Sequence, residues 1–205
     1  AVAQMDVRIV NIDTGEFYDD IDPDEFNPRQ AVLDPELGVA IPADKDLARL
    51  GRRSRFEIVY IVYKDDEVYR VILPIVGQGM WSTMYGYIAL ENDFSTIAAA
   101  TFYEQAETAG IGDKIADPNW LALWQGRALF GSDGRFRFRV AGGPVDPNSA
   151  DAAHQVDGIS GATVTAGAVS RLVEYWFGPH GYAPFLDNLR QEAPTRLAAR
   201  ARSSL

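Results

Sequence analysis

The chain has 205 residues, of which 47% are hydrophobic and 23% charged, a composition typical of one globular domain or of one domain with a long arm. Nineteen basic against twenty-nine acidic residues give a net charge of −10. That charge repels nucleic-acid phosphates, so we predict no nucleic-acid partner. The absence of cysteine excludes thiolate metal sites and disulfides, and two histidines far apart do not indicate a metal site.

No stretch reaches the roughly 18 consecutive apolar residues that a membrane helix needs, so we expect this chain to be soluble. It begins with alanine rather than methionine and has no signal-like start. We therefore expect a processed or truncated polypeptide.

The N-terminal part is predicted to be an arm. Residues 7–10 alternate as in a strand, and an Asp-Thr-Gly turn follows. Residues 19–42 are acidic and contain four prolines, which is too many breaks for one long element, although a short helix fits residues 28–33. We expect residues 1–55 to form an arm with one short strand that wraps around the domain.

Two β-hairpins are predicted next. Residues 56–63 and 68–76 are rich in β-branched and aromatic side chains and are separated by a charged turn. Residues 85–91 and 97–103 repeat the pattern around an Asn-Asp turn. These four runs predict a mostly antiparallel sheet.

Helices are predicted in the second half of the chain. Asp117-Pro118 begins a short helix that Gly126 stops, and residues 135–140 alternate like an exposed strand. A longer helix begins at Thr163 and ends near Gly178.

A last, weaker helix over residues 184–190 continues into a basic, alanine-rich tail at 191–205. Together with the hairpins, the helices predict an α+β fold, a mostly antiparallel sheet with a few packed helices. The main domain is predicted at residues 56–190.

The segment that suggests chemistry runs from Asp157 to Thr165 and reads DGISGATVT, where a loop turns into the long helix. The first N–H groups of a helix lack partners and its dipole favours negative charge, so a phosphate finds aligned donors there. Gly158, Gly161 and Ala162 leave room for one. A threonine in this first turn is either a cap or the hydroxyl to which the phosphate is esterified.

Two other interpretations of this segment stay open on the residues alone. Ser160 and Thr163 are residue types that cap helices in any protein. Ser160 also lies near His154 and Asp157 in the sequence, but the surrounding residues are not a Gly-x-Ser-x-Gly elbow, and proximity in sequence does not make a triad. We predict no catalytic residue in this chain.

The segment resembles the flavinylation motif Asp-x-x-(Ser/Thr)-Gly-Ala-Thr of the FMN-binding domain family, and roughly residues 7–190 are similar to the C subunits of Na+-translocating NADH:quinone reductases. The order and conjunction of the matching segments make the resemblance specific. Besides the motif, these are residues 13–17, 29–46, 52–53, 79–86, 103–112 and 117–120.

This resemblance implies FMN esterified to Thr163, with a flavin transferase reading the neighbouring motif residues Asp157, Ser160, Gly161 and Ala162. Thr165 is the competing hydroxyl and ranks lower because the family pattern ends at Thr163. The resemblance also implies that two other segments approach the flavin ring. The residues of the first segment are Trp81, Ser82, Met84 and Gly86. Those of the second segment are Glu107, Thr108, Gly110, Ile111 and Gly112. Without the resemblance, core packing and a tight turn would explain them.

The second of these segments departs from the usual family sequence, Glu-His-Gly-Glu-Thr-Pro-Gly-Leu-Gly. Gln105, Ala106 and Ala109 replace the histidine, a glycine and the proline. A group that titrates near neutral pH is thereby lost beside the expected flavin.

The resemblance further implies an N-terminal helix that anchors the protein in the inner membrane, with this domain on the periplasmic side. FMN would carry single electrons from a metal centre to another flavin, alongside the other subunits of a membrane complex that couples NADH oxidation and quinone reduction to Na+ export. Two alternatives remain: a protein like the G subunit of the ferredoxin:NAD reductase complex, and a non-redox structural module.

Overall fold

The computed structural model describes residues 2–192. Their α-helices are α1 (Pro28–Ala31), α2 (Pro118–Ala122), α3 (Thr163–Trp176) and α4 (Ala183–Gln191), and short 3₁₀ turns cover Gly112–Ala116 and Ala152–His154. The strands are β1 (Gln4–Asn11), β2 (Glu16–Phe17), β3 (Gly38–Ala40), β4 (Arg52–Ser54), β5 (Phe56–Lys64), β6 (Glu67–Gln78), β7 (Thr83–Leu90), β8 (Ile97–Glu104), β9 (Arg139–Val140) and β10 (Gln155–Val156).

Six strands form one antiparallel sheet in the order β2-β1-β5-β6-β7-β8. The hairpins β5–β6 and β7–β8 are those predicted from the sequence, because their β-rich runs alternate between buried and half-buried positions as strands with one covered face do. A large antiparallel sheet with four α-helices in the described residues confirms the predicted α+β fold.

Helix α3 covers one face of this sheet, and a glycine on β6 allows the close approach. A Cβ atom on Gly77 would lie 2.6 Å from Cβ of Leu172. One turn further along the helix, Trp176 donates from Nε1 to the carbonyl oxygen of Val76 at 2.7 Å. The buried side chains of α3, among them Val169 and Val173, join the inward side chains of the strands in one core.

Helix α4 packs against the turn between β1 and β2, at one edge of the sheet. A Cβ atom on Gly15, which has a φ of +73°, would lie 2.4 Å from the carbonyl carbon of Pro184. Asn188 donates to the Gly15 carbonyl oxygen at 3.0 Å. The β1–β2 turn therefore holds α4, whose bounds agree with the predicted helix to within one residue.

Three boundaries differ from the sequence-based expectation. The first strand is longer than residues 7–10 because all eight residues of β1 pair with β5 inside the sheet. Helix α1 ends at Ala31 instead of continuing to residue 33, because turns replace helical bonds beyond it. The expected strand at residues 135–140 is wrong except for β9 and for Phe136, which forms an isolated antiparallel bridge with Phe130 beside a turn closed by the bond from Gly131 N–H to the Arg135 carbonyl.

The division into an arm of residues 1–55, a domain of residues 56–190 and a tail stays a prediction, and most of the predicted tail, residues 193–205, lies outside the described residues. Within the described part of the chain, none of the helices has the length and apolarity needed to cross a membrane.

Candidate functional site

The long helix begins without a side-chain cap, at the motif that the sequence singled out. Ala162 occupies the N-cap position and, among the described residues, no side chain bonds to the N–H groups of the first turn. The chain enters through Gly161, whose φ of +79° is one that glycine adopts at low cost. The start of α3 therefore keeps free donors and the positive end of its dipole, which suits a phosphate.

The two candidate threonines point in different directions. Thr163 is exposed, whereas Thr165 is only 3% exposed. The Thr165 hydroxyl donates to Oε2 of Glu107 at 2.6 Å. Thr163 is thus the one of the two whose oxygen is available for a covalent bond.

Glu107 joins this helix to the loop that follows β6. Its Oε1 accepts hydrogen bonds from the backbone N–H groups of Trp81 and Ser82, both at 3.0 Å, and from the Ser82 hydroxyl at 2.8 Å. Its Oε2 accepts from the Met80 N–H at 3.0 Å and from Thr165. The carboxylate is only 6% exposed and accepts five hydrogen bonds. It thereby connects its own loop, the loop after β6 and the first turn of α3.

Burial raises the pKa of the Glu107 carboxyl, but hydrogen bonds from Thr165, from the Trp81 N–H and from Ser82 outweigh that effect, and the pKa lies below its ordinary value. The group is therefore an anion at neutral pH. Its charge is stabilised by five neutral hydrogen-bond donors from the protein, so Glu107 acts as a structural anchor of the site.

Two glycines make room for this carboxylate. A Cβ atom on Gly79 would lie 2.4 Å from Oε1 of Glu107, and one on Gly112 would lie 3.1 Å from Oγ1 of Thr165. The approach of Gly112 to the flavin stays a prediction, and in the structure Gly112 lies against Glu107 and Thr165. Its lack of a side chain serves the anchor.

Exposed apolar side chains, here called the apolar patch, lie on the segments that are joined to the start of α3, where Thr163 is exposed. The members of the patch are Met80, Trp81, Ile111 and Val164, all of them substantially exposed, and the Trp81 side chain is 68% exposed. Glu107 ties the Met80–Trp81 backbone to the start of α3, and a Cβ on Gly161 would lie 3.5 Å from Cγ2 of Ile111. Exposed apolar side chains beside an exposed hydroxyl provide a surface that a planar ring system can cover.

The residues before the helix are held by a second set of bonds. Asp157 accepts from the Val145 N–H through Oδ1 at 2.8 Å, and its carbonyl oxygen accepts from Nε1 of Trp120 at 2.8 Å. A Cβ on Gly158 would lie 2.4 Å from the Ala141 carbonyl oxygen. These contacts position the exposed Ser160 and Gly161 at the surface, next to Thr163.

The other predicted site residues are placed as follows. Met84 and Gly86 are buried in β7, where a Cβ on Gly86 would lie 2.2 Å from the Thr101 carbonyl oxygen. Thr108 and Gly110 are exposed, and the Thr108 carbonyl oxygen accepts from Ile111 N–H. The Met84 side chain is fully buried in the core, and Gly86 has no side chain.

Gln105, which replaces the usual histidine of the family, forms a hydrogen bond within its own loop. Its Oε1 accepts from the Glu107 N–H at 2.7 Å, and the Ala106 N–H donates to the Ser82 hydroxyl at 2.9 Å. These two bonds fix the segment that leads into Glu107.

Sequence reasoning missed Met80, Val164 and the role of Thr165. Met80 and Val164 each adjoin a predicted residue, so their positions in the sequence offered a signal. The partnership of Thr165 with Glu107 spans 58 residues, and no local pattern indicates it. The hydrolase interpretation gains no support, because Nδ1 of His154 contacts the Ala128 carbonyl oxygen at 2.8 Å.

The arrangement fits a flavin mononucleotide. The uncapped helix start suits its phosphate, the exposed Thr163 oxygen offers an attachment point, and the apolar patch offers a surface for its ring.

The chain is similar to known proteins in sequence. The FMN-binding domain family matches residues 79–178. This range contains Glu107, all of α3 and the loop of residues 79–82 between β6 and β7, called the Trp81 loop below. The C subunit of the Na(+)-translocating NADH-quinone reductase of Pseudomonas aeruginosa is 41% identical over 189 residues, which cover 92% of this chain and 72% of that protein. The corresponding protein of Vibrio alginolyticus is 37% identical over 186 residues, covering 91% and 71%.

Two solved structures have the same fold. The chain superposes on NqrC of Shewanella oneidensis with a TM-score of 0.85 and 38% identity, covering 92% of this chain and 85% of that one. The corresponding reductase protein of Parabacteroides distasonis gives a TM-score of 0.64 and 27% identity, with 88% and 77% covered.

Proposed function

The chain belongs to the family of C subunits of Na(+)-translocating NADH-quinone reductases and contains an FMN-binding domain, and on that basis we propose that it carries one FMN esterified to Thr163. The bond would join the Thr163 oxygen to the flavin's phosphorus. The hydroxyl would give up its proton, and the bond from phosphorus to the leaving group of an activated flavin nucleotide would break. A flavin transferase would catalyse this step, reading Asp157, Ser160, Gly161 and Ala162.

The observation that carries the proposal is the contrast between two hydroxyls two residues apart. Thr163 is exposed at the uncapped start of α3, and Thr165 is buried and bonded to Glu107. An esterified Thr165 would lose its donor to Glu107 and force a phosphate into the core, at a high cost in desolvation.

The protein's own residues would hold and shield the cofactor. The N–H groups of the first turn of α3 would bind phosphate oxygens, while Trp81, Ile111 and Val164 would cover part of the ring. FMN, when bound, supplies one-electron transfer. The covalent bond would keep the cofactor on the protein.

We place the chain in a membrane complex with the other reductase subunits, where it would receive single electrons from a metal centre and deliver them to another flavin during Na+ export. Attachment to the inner membrane with this domain on the periplasmic side is part of the same proposal and rests on the resemblance. Identity of 41% to a reductase C subunit over 92% of the chain favours this over the G subunit of ferredoxin:NAD reductase. A merely capped helix start is disfavoured because Ala162 is the N-cap.

Coexpression with a flavin transferase tests the attachment. We expect denatured protein to keep yellow fluorescence and to gain the mass of FMN less one water. Fragmentation of the peptide that contains both threonines should locate the mass on Thr163.

Matched variants separate the two hydroxyls. Thr163→Val should lose the label completely, and Thr163→Ser should keep a hydroxyl that accepts it. Thr165→Val removes the other hydroxyl and should still be labelled. A colourless wild type after coexpression, or a label that survives Thr163→Val, would refute the proposal.

A further inference from the structure

The main sheet splits open between two of its central strands. Pairing of β5 with β6 runs from the turn only as far as Tyr60 opposite Ile72, although β6 continues to pair with β7 up to Gln78. The split begins before Pro74, which has no N–H to donate to β5.

Side chains from the helical face replace the missing strand partner. The carbonyl oxygen of Pro74 accepts from the Tyr182 hydroxyl at 2.6 Å, and that of Val76 accepts from Nε1 of Trp176 at 2.7 Å. The split is therefore a stable part of the fold whose β6 carbonyl groups are satisfied.

A cavity of about 480 Å³ opens at this split. Its lining is about half apolar, and the flat rings of Tyr60, Tyr85 and Tyr87 and the apolar Pro74 and Val76 lie beside charged and polar side chains. Volumes of this size hold small organic ligands, and aromatic side chains with a few polar groups are typical of their sites. The cavity is separate from the proposed flavin site, since neither Trp81 nor Thr163 lines it.

A buried carboxyl group faces the cavity. Glu57 is 7% exposed and is among the lining residues, yet no other side chain within the described part of the chain donates a hydrogen bond to it. Burial raises the pKa of Glu57 to about 8, with Arg53 opposing the shift. The neutral carboxyl that results has a proton to donate to a ligand.

Arg53 does not neutralise this group by direct contact. Its guanidinium bonds to the Tyr175 hydroxyl at 3.2 Å, to the Ser54 carbonyl oxygen at 3.1 Å and to Asp13 at 2.7 Å. Three of its five N–H donors are bonded to these groups, and no side-chain hydrogen bond joins it to Glu57 within residues 2–192.

The rim carries positive charge on a protein that is otherwise acidic. Arg52 lines the cavity and bonds through Nε to the Val32 carbonyl oxygen at 3.2 Å. Among the described residues, no carboxylate forms a salt bridge with it. Arg29, also at the rim, is paired with Glu104 and lies 3.6 Å from the centre of the Tyr85 ring. Arg52 therefore offers the donors an anionic group would need.

We propose that this cavity binds a small, flat aromatic anion, with its ring against Tyr60, Val76 and Tyr87 and its anionic group on Arg52. Where such a molecule carries an oxygen acceptor on its inner edge, that oxygen would lie at the Glu57 carboxyl. The site is independent of the flavin attachment and rests on different residues.

Calorimetric titration of flavin-loaded protein with 2-naphthoate tests the proposal. We expect saturable binding to one site, and at least about tenfold weaker binding of the uncharged 2-naphthamide, because the amide forms no ion pair. Absence of saturable heat with 2-naphthoate would overturn the proposal, as would equal affinity for the two compounds.

Three variants locate the binding. Arg52→Gln should weaken 2-naphthoate about tenfold, and Val76→Phe, which fills the cavity with a larger ring, should abolish it. Arg135→Gln, an exposed arginine outside the cavity lining, should match the wild type. Flavin content and thermal unfolding verify folding. Unchanged binding in both cavity variants, or an equal loss in Arg135→Gln, contradicts the assignment.

Discussion

Replacing Glu107 by glutamine is expected to destabilise the protein strongly while changing almost no volume. The carboxylate accepts five hydrogen bonds, three on Oε1 and two on Oε2. An amide has one oxygen, and its NH₂ group would face donors. At best the three bonds on one oxygen survive and the donors on the other side, Met80 N–H and the Thr165 hydroxyl, lose their acceptor.

The magnitude follows from the two lost bonds. A buried donor left without an acceptor costs about 1–3 kcal/mol. Two such losses, one of them partly relieved by rotation of the Thr165 hydroxyl, give an expected decrease of about 2–5 kcal/mol in the free energy of unfolding. A domain of this size is stable by roughly 5–15 kcal/mol, so the change is large but need not prevent folding.

Urea unfolding followed by far-ultraviolet circular dichroism measures this difference. Glu104→Gln is the matched control, because Glu104 is exposed and forms a single salt bridge with Arg29, a type of surface pair that contributes little. If Glu107→Gln unfolds within about 0.5 kcal/mol of the wild type, the range of an ordinary surface substitution, the carboxylate does not anchor the Trp81 loop to α3 in the way inferred.

Two further substitutions test neighbouring features. Gly79→Ala places a methyl group 2.4 Å from Oε1 of Glu107, which five hydrogen bonds hold in place, so we expect the free energy of unfolding in urea to fall by about 1–3 kcal/mol. Gly142→Ala is the control, because the space at its Cβ is open, and it should change the free energy of unfolding very little. Equal effects of the two substitutions would contradict the close approach of Gly79 to Glu107. The folded-state pKa of Glu57 is raised from 4.5 to about 8. Its contribution to the free energy of unfolding is therefore fully present below pH 4.5 and is lost as the pH rises toward 8, by on the order of 1 kcal/mol per pH unit. Glu57→Gln stays neutral and should abolish that slope in unfolding free energy between about pH 5 and 8; an unchanged slope would show that Glu57 ionises normally beside Arg53 and Tyr182.

Elements with a local signal were predictable from the sequence. The hairpins of the sheet follow from runs of β-branched and aromatic residues separated by polar turns, and α3 follows from its helical periodicity. The start of α3 at Thr163 was placed correctly. Its capping was not foreseeable, because a Ser-Gly-Ala-Thr sequence fits a capped start equally well, and only the backbone at Gly161 puts Ala162 in the cap position.

Features that depend on distant partners were not predictable. The resemblance implies that Glu107 approaches the flavin ring, and this stays a prediction. The five hydrogen bonds that hold Glu107 inside the protein come from residues 25 to 58 positions away, and no local pattern indicates them. The sequence places Pro74 within a predicted strand but does not predict that the sheet splits there. The split depends on hydrogen bonds from Tyr182 and Trp176, which lie about a hundred residues further along the chain. Such contacts arise from tertiary packing, which periodicity does not encode.

The helix geometry explains why one short segment serves both as an anchor and as a candidate attachment point. Successive helical residues are rotated by about 100°, so Thr163 and Thr165 lie on nearly opposite faces. The inward hydroxyl is bonded to Glu107, which also holds the backbone under Trp81. The outward hydroxyl and the Trp81 loop are therefore parts of one rigid unit, and a ring tethered to Thr163 would meet a surface whose position is already set before the cofactor arrives.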